Sequence, residues 1–167
     1  MVINMRKKII IILLVLSVAL YVSRNFYQLN LIQGESMAPA YQNMQFTIID
    51  RRAADFQCGD VVVFYCPALR CTMVKRIIAL PGDTVWITDG SVLVNDIPST
   101  QVSGNVAFDG IAFQKLTLGN DEFFVMGDNH ALSKDSRYAK IGCVRRKNMI
   151  GRLIPNRPAV TTVKPHS

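Results

Sequence analysis

The chain has 167 residues, 50% of them hydrophobic and 19% charged, with a net charge of +7 and a mean hydropathy of +0.22. These values exclude a disordered chain, and ten glycines and seven prolines without a period exclude a collagen-like one. The length fits one folded domain with a core of its own. Positive hydropathy is unusual for such a domain, so the excess apolar residues must be placed.

They lie at the front. Ile9 to Val22 is apolar throughout except for Ser17, and Arg6, Lys7 and Lys8 precede it. The run is roughly 21 Å long as a helix, short of the ~20 residues of a full span; Arg24, Phe26 and Tyr27 extend it through interfacial anchoring. Two readings stand: a cleaved signal peptide, with Ser17-Val18-Ala19 offering small residues for cutting, or an uncleaved anchor. In both, the positive-inside rule leaves the N-terminus in the cytosol and the rest outside. The resulting division is a cytoplasmic basic N-terminus 1–8, a transmembrane segment 9–23, a juxtamembrane link 24–33 and an extracytoplasmic domain 34–167.

Beyond the link, short apolar runs alternate with turn residues, which predicts a mainly β fold. Expected strands are Phe46–Ile49, Val61–Tyr65, Thr72–Leu80, Val85–Thr88, Ser91–Val94 and Glu122–Met126. Pro81-Gly82 predicts a type II turn, and Asp89-Gly90 a tight hairpin. Asn95-Asp96 offers a further turn. Arg145, Arg146, Lys147, Arg152 and Arg157 form a loose basic group, read as a solvated face or, alternatively, a contact with anionic lipid; an exported domain has little occasion to meet nucleic acid.

Of the four cysteines, Cys66 and Cys71 are close in sequence, while Cys58 and Cys143 are remote. There is no CxxC and no histidine nearby, which argues against a metal site. The expected pairing is Cys66–Cys71 with Cys58–Cys143; four free thiols is the alternative.

The catalytic options are few. His130 and His166 are the only histidines, and both sit where a surface histidine is the ordinary reading, so a Ser-His-Asp triad has no good base. A serine can be activated by lysine instead, provided burial lowers the lysine pKa from about 10.4. Strand alternation sets Met73, Lys75 and Ile77 on one face and Val74, Arg76 and Ile78 on the other, so Lys75 has apolar neighbours. Ser36, in a loop between Gly34 and Pro39, is the matching nucleophile, with backbone N–H groups available to a developing oxyanion.

Taken in order, Ser36-Met37-Ala38-Pro39, Lys75-Arg76-Ile77-Ile78-Ala79-Leu80-Pro81-Gly82-Asp83 and Gly127-Asp128-Asn129-His130-Ala131-Leu132-Ser133-Lys134-Asp135-Ser136-Arg137 closely resemble the three boxes of the type I signal peptidase family. The resemblance covers residue 6 to about 155. It implies a signal-peptidase-like antiparallel β fold after one retained transmembrane helix, no cofactor and no metal. It also implies cleavage of signal peptides after small residues at the first and third positions before the bond. Ser36 corresponds to the nucleophile, Lys75 to the general base, and Ser133 to a hydroxyl that orients the lysine. Asp128, Asp135 and Arg137 correspond to residues that hold the site together through an Asp–Arg ion pair, and Arg76 to a structural cation. Gly34, Met37 and Pro39 fall in the substrate and oxyanion region.

The chain departs from the common family pattern at Gly34, which replaces a serine oxyanion donor of some members, at Ala40, and at Met73, which stands where a Tyr is common. The short stretch between the second and third boxes implies a minimal enzyme. The expected partners are preprotein signal peptides and membrane lipid, and the expected place is the plasma (inner) membrane. Two alternatives remain at this point: a dedicated maturation peptidase for a pilin-like substrate, and a non-catalytic exported peptide-binding β domain.

Overall fold

The structure, a computed structural model, describes residues 5–155. Arg157 and His166 lie outside the described residues. Helix α1 spans Met5–Phe26, longer at both ends than the apolar run. Backbone bonding carries it through Arg6–Lys8 and Ser23–Phe26, where side-chain polarity is no obstacle. At 22 residues it is about 33 Å long, enough to cross a hydrocarbon core of ~30 Å.

No link follows it. Strand β1 (Tyr27–Leu31) begins at once and pairs with β2 (Phe46–Asp50). Of the segment expected as a link, 24–33, residues 24–26 end the helix and 27–31 form β1. Its Tyr-Gln-Leu-Asn-Leu alternation is a strand pattern that the adjoining helix obscures in the sequence.

The remaining strands are β3 (Val61–Cys66), β4 (Cys71–Ala79), β5 (Thr84–Thr88), β6 (Ser91–Val94), β7 (Ile97–Pro98), β8 (Leu116–Thr117), β9 (Glu122–Met126), β10 (Val144–Arg145) and β11 (Met149–Leu153). The six expected strands all form, within a residue or so of their predicted ends. The short pairs β7, β8 and β10 carry too few residues for a pattern, and β11 hides among basic residues. All pairings are antiparallel, in a seven-stranded sheet ordered β1-β2-β11-β3-β4-β9-β10 and a four-stranded sheet ordered β7-β6-β5-β8.

The turns follow their residues. Gly82 has φ +85° and Asp83 N–H donates to the Leu80 carbonyl (3.0 Å), as a type II turn requires. Asp89 and Gly90 both have positive φ, as do Asn95 and Asp96, the left-handed conformation of a two-residue hairpin loop.

The two faces of β4 feed different parts of the core. Met73 and Ile77 pack with Phe64, Phe123 and Val125. Val74 packs with Met37, Val61 and Val63. A bulge between Ile77 and Ala79 then turns Ile78 and Ala79 toward Val85, Phe124 and Met126, the core beneath the smaller sheet.

The four cysteines are free thiols, so the expected disulfides are not present. Cys58 donates to the Ile78 carbonyl (3.2 Å), and burial pushes the Cys143 thiol up to about 11. Cys66 and Cys71 face each other across β3 and β4, one buried and one exposed.

The basic group also finds partners within the chain. Arg152 pairs with Asp60 (2.8 Å) and Arg145 with Glu122 (4.0 Å). Arg146 lies over the rings of Phe56 and Phe123.

Candidate active site

β4 carries Lys75 opposite Val62 of β3, in a setting that leaves the lysine only 3% exposed. The loop carrying Ser36 follows β1. Gly34 turns it with φ +87°, and Met37, almost fully buried beside Ile32, Tyr41 and Val63, pins it to the core. Between these points Ser36 meets the lysine, with Lys75 Nζ donating to Ser36 Oγ at 2.6 Å.

Burial dominates the lysine's chemistry. Desolvation lowers its pKa from 10.5 to about 8, and the positive Arg137 adds to this, while Asp135 and Asp128 partly oppose it. Both carboxylates are already occupied by arginines, which limits their pull on the ammonium.

Asp135 and Arg137 form a buried pair, 0% and 1% exposed at the side chain. Arg137 Nε donates to Asp135 Oδ1 (2.8 Å) and Nη2 to Oδ2 (2.9 Å). The remaining valences are also met: Gly127 N–H donates to Asp135 Oδ2 (3.1 Å), and Arg137 Nη2 donates to the His130 and Ser133 carbonyls (2.9 and 3.3 Å). A buried ion pair is tolerable only when so completed. A second pair, Arg76–Asp128, is two-pronged at 2.8 and 2.6 Å, and Arg76 also donates to the Gly59 carbonyl (2.8 Å). Arg76 therefore points away from Lys75, as strand alternation required.

Asn129 N–H donates to the Ser36 carbonyl (3.1 Å), tying the third box to the Ser36 loop. Gly127 stands beside that carbonyl so closely that a Cβ there would overlap Ser36 O and Ser133 Oγ. Neither Gly127 nor Asn129 was singled out from the sequence; their place inside the third box was the available signal.

Ser133 is buried at 1% exposure, yet its hydroxyl has no hydrogen-bond partner among the described residues. The bond from Ser133 to Lys75 implied by the family resemblance is not formed here. Gly34 N–H donates to Asn43 Oδ1 (2.9 Å), so it is not free for an oxyanion.

Ser36 and Lys75 both line a groove of about 720 Å3. One wall is residues 30–37, including Gly34 and Met37; the other is Cys71 to Lys75 of β4. β9 pairs with β4 only at Arg76, Ile77 and Ala79, so the Cys71–Lys75 edge has no strand beside it on the groove side among the described residues. Pro39, expected with the substrate region, lies outside this groove, in a second cavity beyond the dyad. Among the described residues no group of three His, Cys, Asp or Glu side chains is placed to hold a metal ion.

An antiparallel β fold after one apolar helix matches a class of peptidase in both sequence and structure. Residues 5–155 match the family "Signal peptidase, peptidase S26", and the chain belongs to that family. It is 30% identical over 157 residues to signal peptidase I P of Bacillus subtilis subsp. natto, covering 83% of this chain and 82% of that one. It is 33% identical over 136 residues to signal peptidase I of Leptolyngbya laminosa, covering 74% and 64%. The crystal structure of a signal peptidase I from Enterococcus faecalis V583 superposes with a TM-score of 0.50 at 30% identity, covering 60% of this chain and 97% of that one.

Proposed function

We propose that this protein is a single-pass membrane-anchored serine endopeptidase that cuts signal peptides from exported preproteins, with Ser36 as nucleophile and Lys75 as general base. The observation that carries the reading is the 2.6 Å contact between Lys75 Nζ and Ser36 Oγ, made by a lysine whose burial brings its pKa to about 8. α1 holds the domain at the bilayer, with Arg6, Lys7 and Lys8 on the cytosolic side.

The preprotein enters extended along the unpaired Cys71–Lys75 edge of β4, adding a strand whose backbone bonds supply affinity. Neutral Lys75 takes the Ser36 hydroxyl proton as Oγ attacks the scissile carbonyl. The Ser36 N–H lies next to the forming oxyanion. The tetrahedral intermediate collapses to an acyl-enzyme, and Lys75 hands its proton to the leaving amine. Lys75 next takes a proton from water, which attacks the ester; the signal peptide leaves with a new carboxylate, and the proton returns to Ser36. Asp135–Arg137 and Asp128–Arg76 hold the third box in place around this chemistry.

The test is cleavage of a preprotein in detergent by the wild type, Ser36→Ala and Lys75→Ala. Both variants are expected to lose cleavage while retaining the fold by circular dichroism. Cleavage retained in Ser36→Ala overturns the mechanism.

A further inference from the structure

The dyad stands on a border between two cavities. Beyond the groove lies a second one of about 360 Å3. Three segments run from one to the other. The nucleophile loop gives Ser36 and Met37 to the groove and then Pro39 and Ala40 to the second cavity. β4 gives Lys75 to the first and Arg76 to the second. The third box gives Leu132 and Lys134 to the first, and Asp128 and His130 to the second. A polypeptide whose acyl half fills the groove, with its scissile carbonyl at Ser36 Oγ, sends its amine half toward this second cavity.

We infer that the second cavity is the subsite for the residues following the scissile bond, and that it selects a polar side chain on the second of them. The inference rests on Ser36 being the nucleophile. The position follows from strand alternation: when the residue before the bond points into the groove, the first residue after it points out and the second points back in.

The preference follows from the lining. Thr100, Gln101, Ser103 and His130 complete the cavity, and the Arg76–Asp128 pair closes its own charge. The lining is therefore mixed: six side chains are polar, and Pro39 and Ala40 stand beside them. Among the described residues Gln101 Nε2 donates only to Thr100 Oγ1 (3.2 Å), and His130 Nε2 meets the Ser103 carbonyl (3.1 Å), fastening the Thr100–Ser103 segment to the third box. A serine, threonine or glutamine side chain would find partners at Thr100 and Gln101. An apolar side chain would strip water from both groups and meet only Pro39 and Ala40 in return.

The experiment uses the full chain in detergent and three peptide substrates. Two extend past the bond and differ only in Gln or Leu at the second residue after it; the third ends at the bond in a chromogenic amine. The wild type is expected to favour Gln over Leu about tenfold in kcat/KM, mainly through KM. Gln101→Leu is expected to flatten or reverse that ratio. His130→Ala, which frees the Thr100–Ser103 segment, is expected to lower kcat/KM on the extended Gln peptide more than on the truncated one. No wild-type discrimination, or variants that depress extended and truncated substrates equally, overturns the subsite. A wild type that cuts none of the three removes the peptidase reading itself, and the subsite with it.

Discussion

Gly127 lies against the carbonyl of Ser36 with no room for a side chain on it. The same carbonyl accepts the Asn129 N–H, so the nucleophile loop and the third box are in direct backbone contact. A methyl group at this point overlaps both the Ser36 carbonyl and Ser133, so the contact between the two segments must shift. Gly127→Ala is expected to lower kcat by about 100-fold or more, because a shift near 1 Å has that effect on a positioned nucleophile. Steady-state kinetics on a quenched peptide check this, and wild-type kcat would show that the loop gives way without cost.

The pH profile reports on the base. With its pKa lowered to about 8, Lys75 is about one-tenth neutral at pH 7 and nine-tenths at pH 9. The acid limb of kcat/KM is expected to rise about tenfold per pH unit and level off above pH 8. A limb that instead moves in His130→Ala would assign the base elsewhere.

Burying that lysine works against stability. Between pH 8 and 10.5 the unfolded chain holds a proton at this position that the folded chain has released, so stability rises with pH across that window. Below pH 8 the folded protein carries the full penalty. Lys75→Met is therefore expected to be inactive yet more stable at pH 7 by about 1–3 kcal/mol, with the advantage shrinking toward pH 10. Thermal melts at the two pH values test both the sign and the trend.

Asp135→Asn leaves the Arg137 guanidinium buried without its counter-charge. A loss of about 3–5 kcal/mol is expected, read as a shift in the urea midpoint. The double variant Asp135→Leu/Arg137→Met is expected to lose less than the single one. The reverse order would mean that the pair stabilises by mutual attraction rather than by avoiding an orphaned charge.

Ser17-Val18-Ala19 lies inside the continuous helix α1, where Ser17 Oγ donates to the Leu14 carbonyl (2.8 Å). A peptidase that reads extended chain has no extended chain there. The purified membrane protein is expected to keep its N-terminal segment by intact mass; a species beginning at Leu20 would show the helix opening for cleavage.

Much of the β architecture and the three boxes were legible in the sequence, because they are local. Short apolar runs bounded by turn residues define β2 to β6 and β9, Pro81-Gly82 and Asp89-Gly90 demand their turns, and the lysine's apolar neighbours lie within its own strand. Tertiary structure alone decided what depends on distant partners. Ser36 and Lys75 are 39 residues apart and meet only because β4 and the loop after β1 close on one groove. Among the described residues strand order leaves the Cys71–Lys75 edge open, while Asn43 takes the Gly34 N–H and the Ser133 hydroxyl stays unbonded. The thiols opposed across β3 and β4 remain unbridged. Sequence spacing names the groups that can meet; register, strand order and burial choose among them, and those come from packing the whole chain at once.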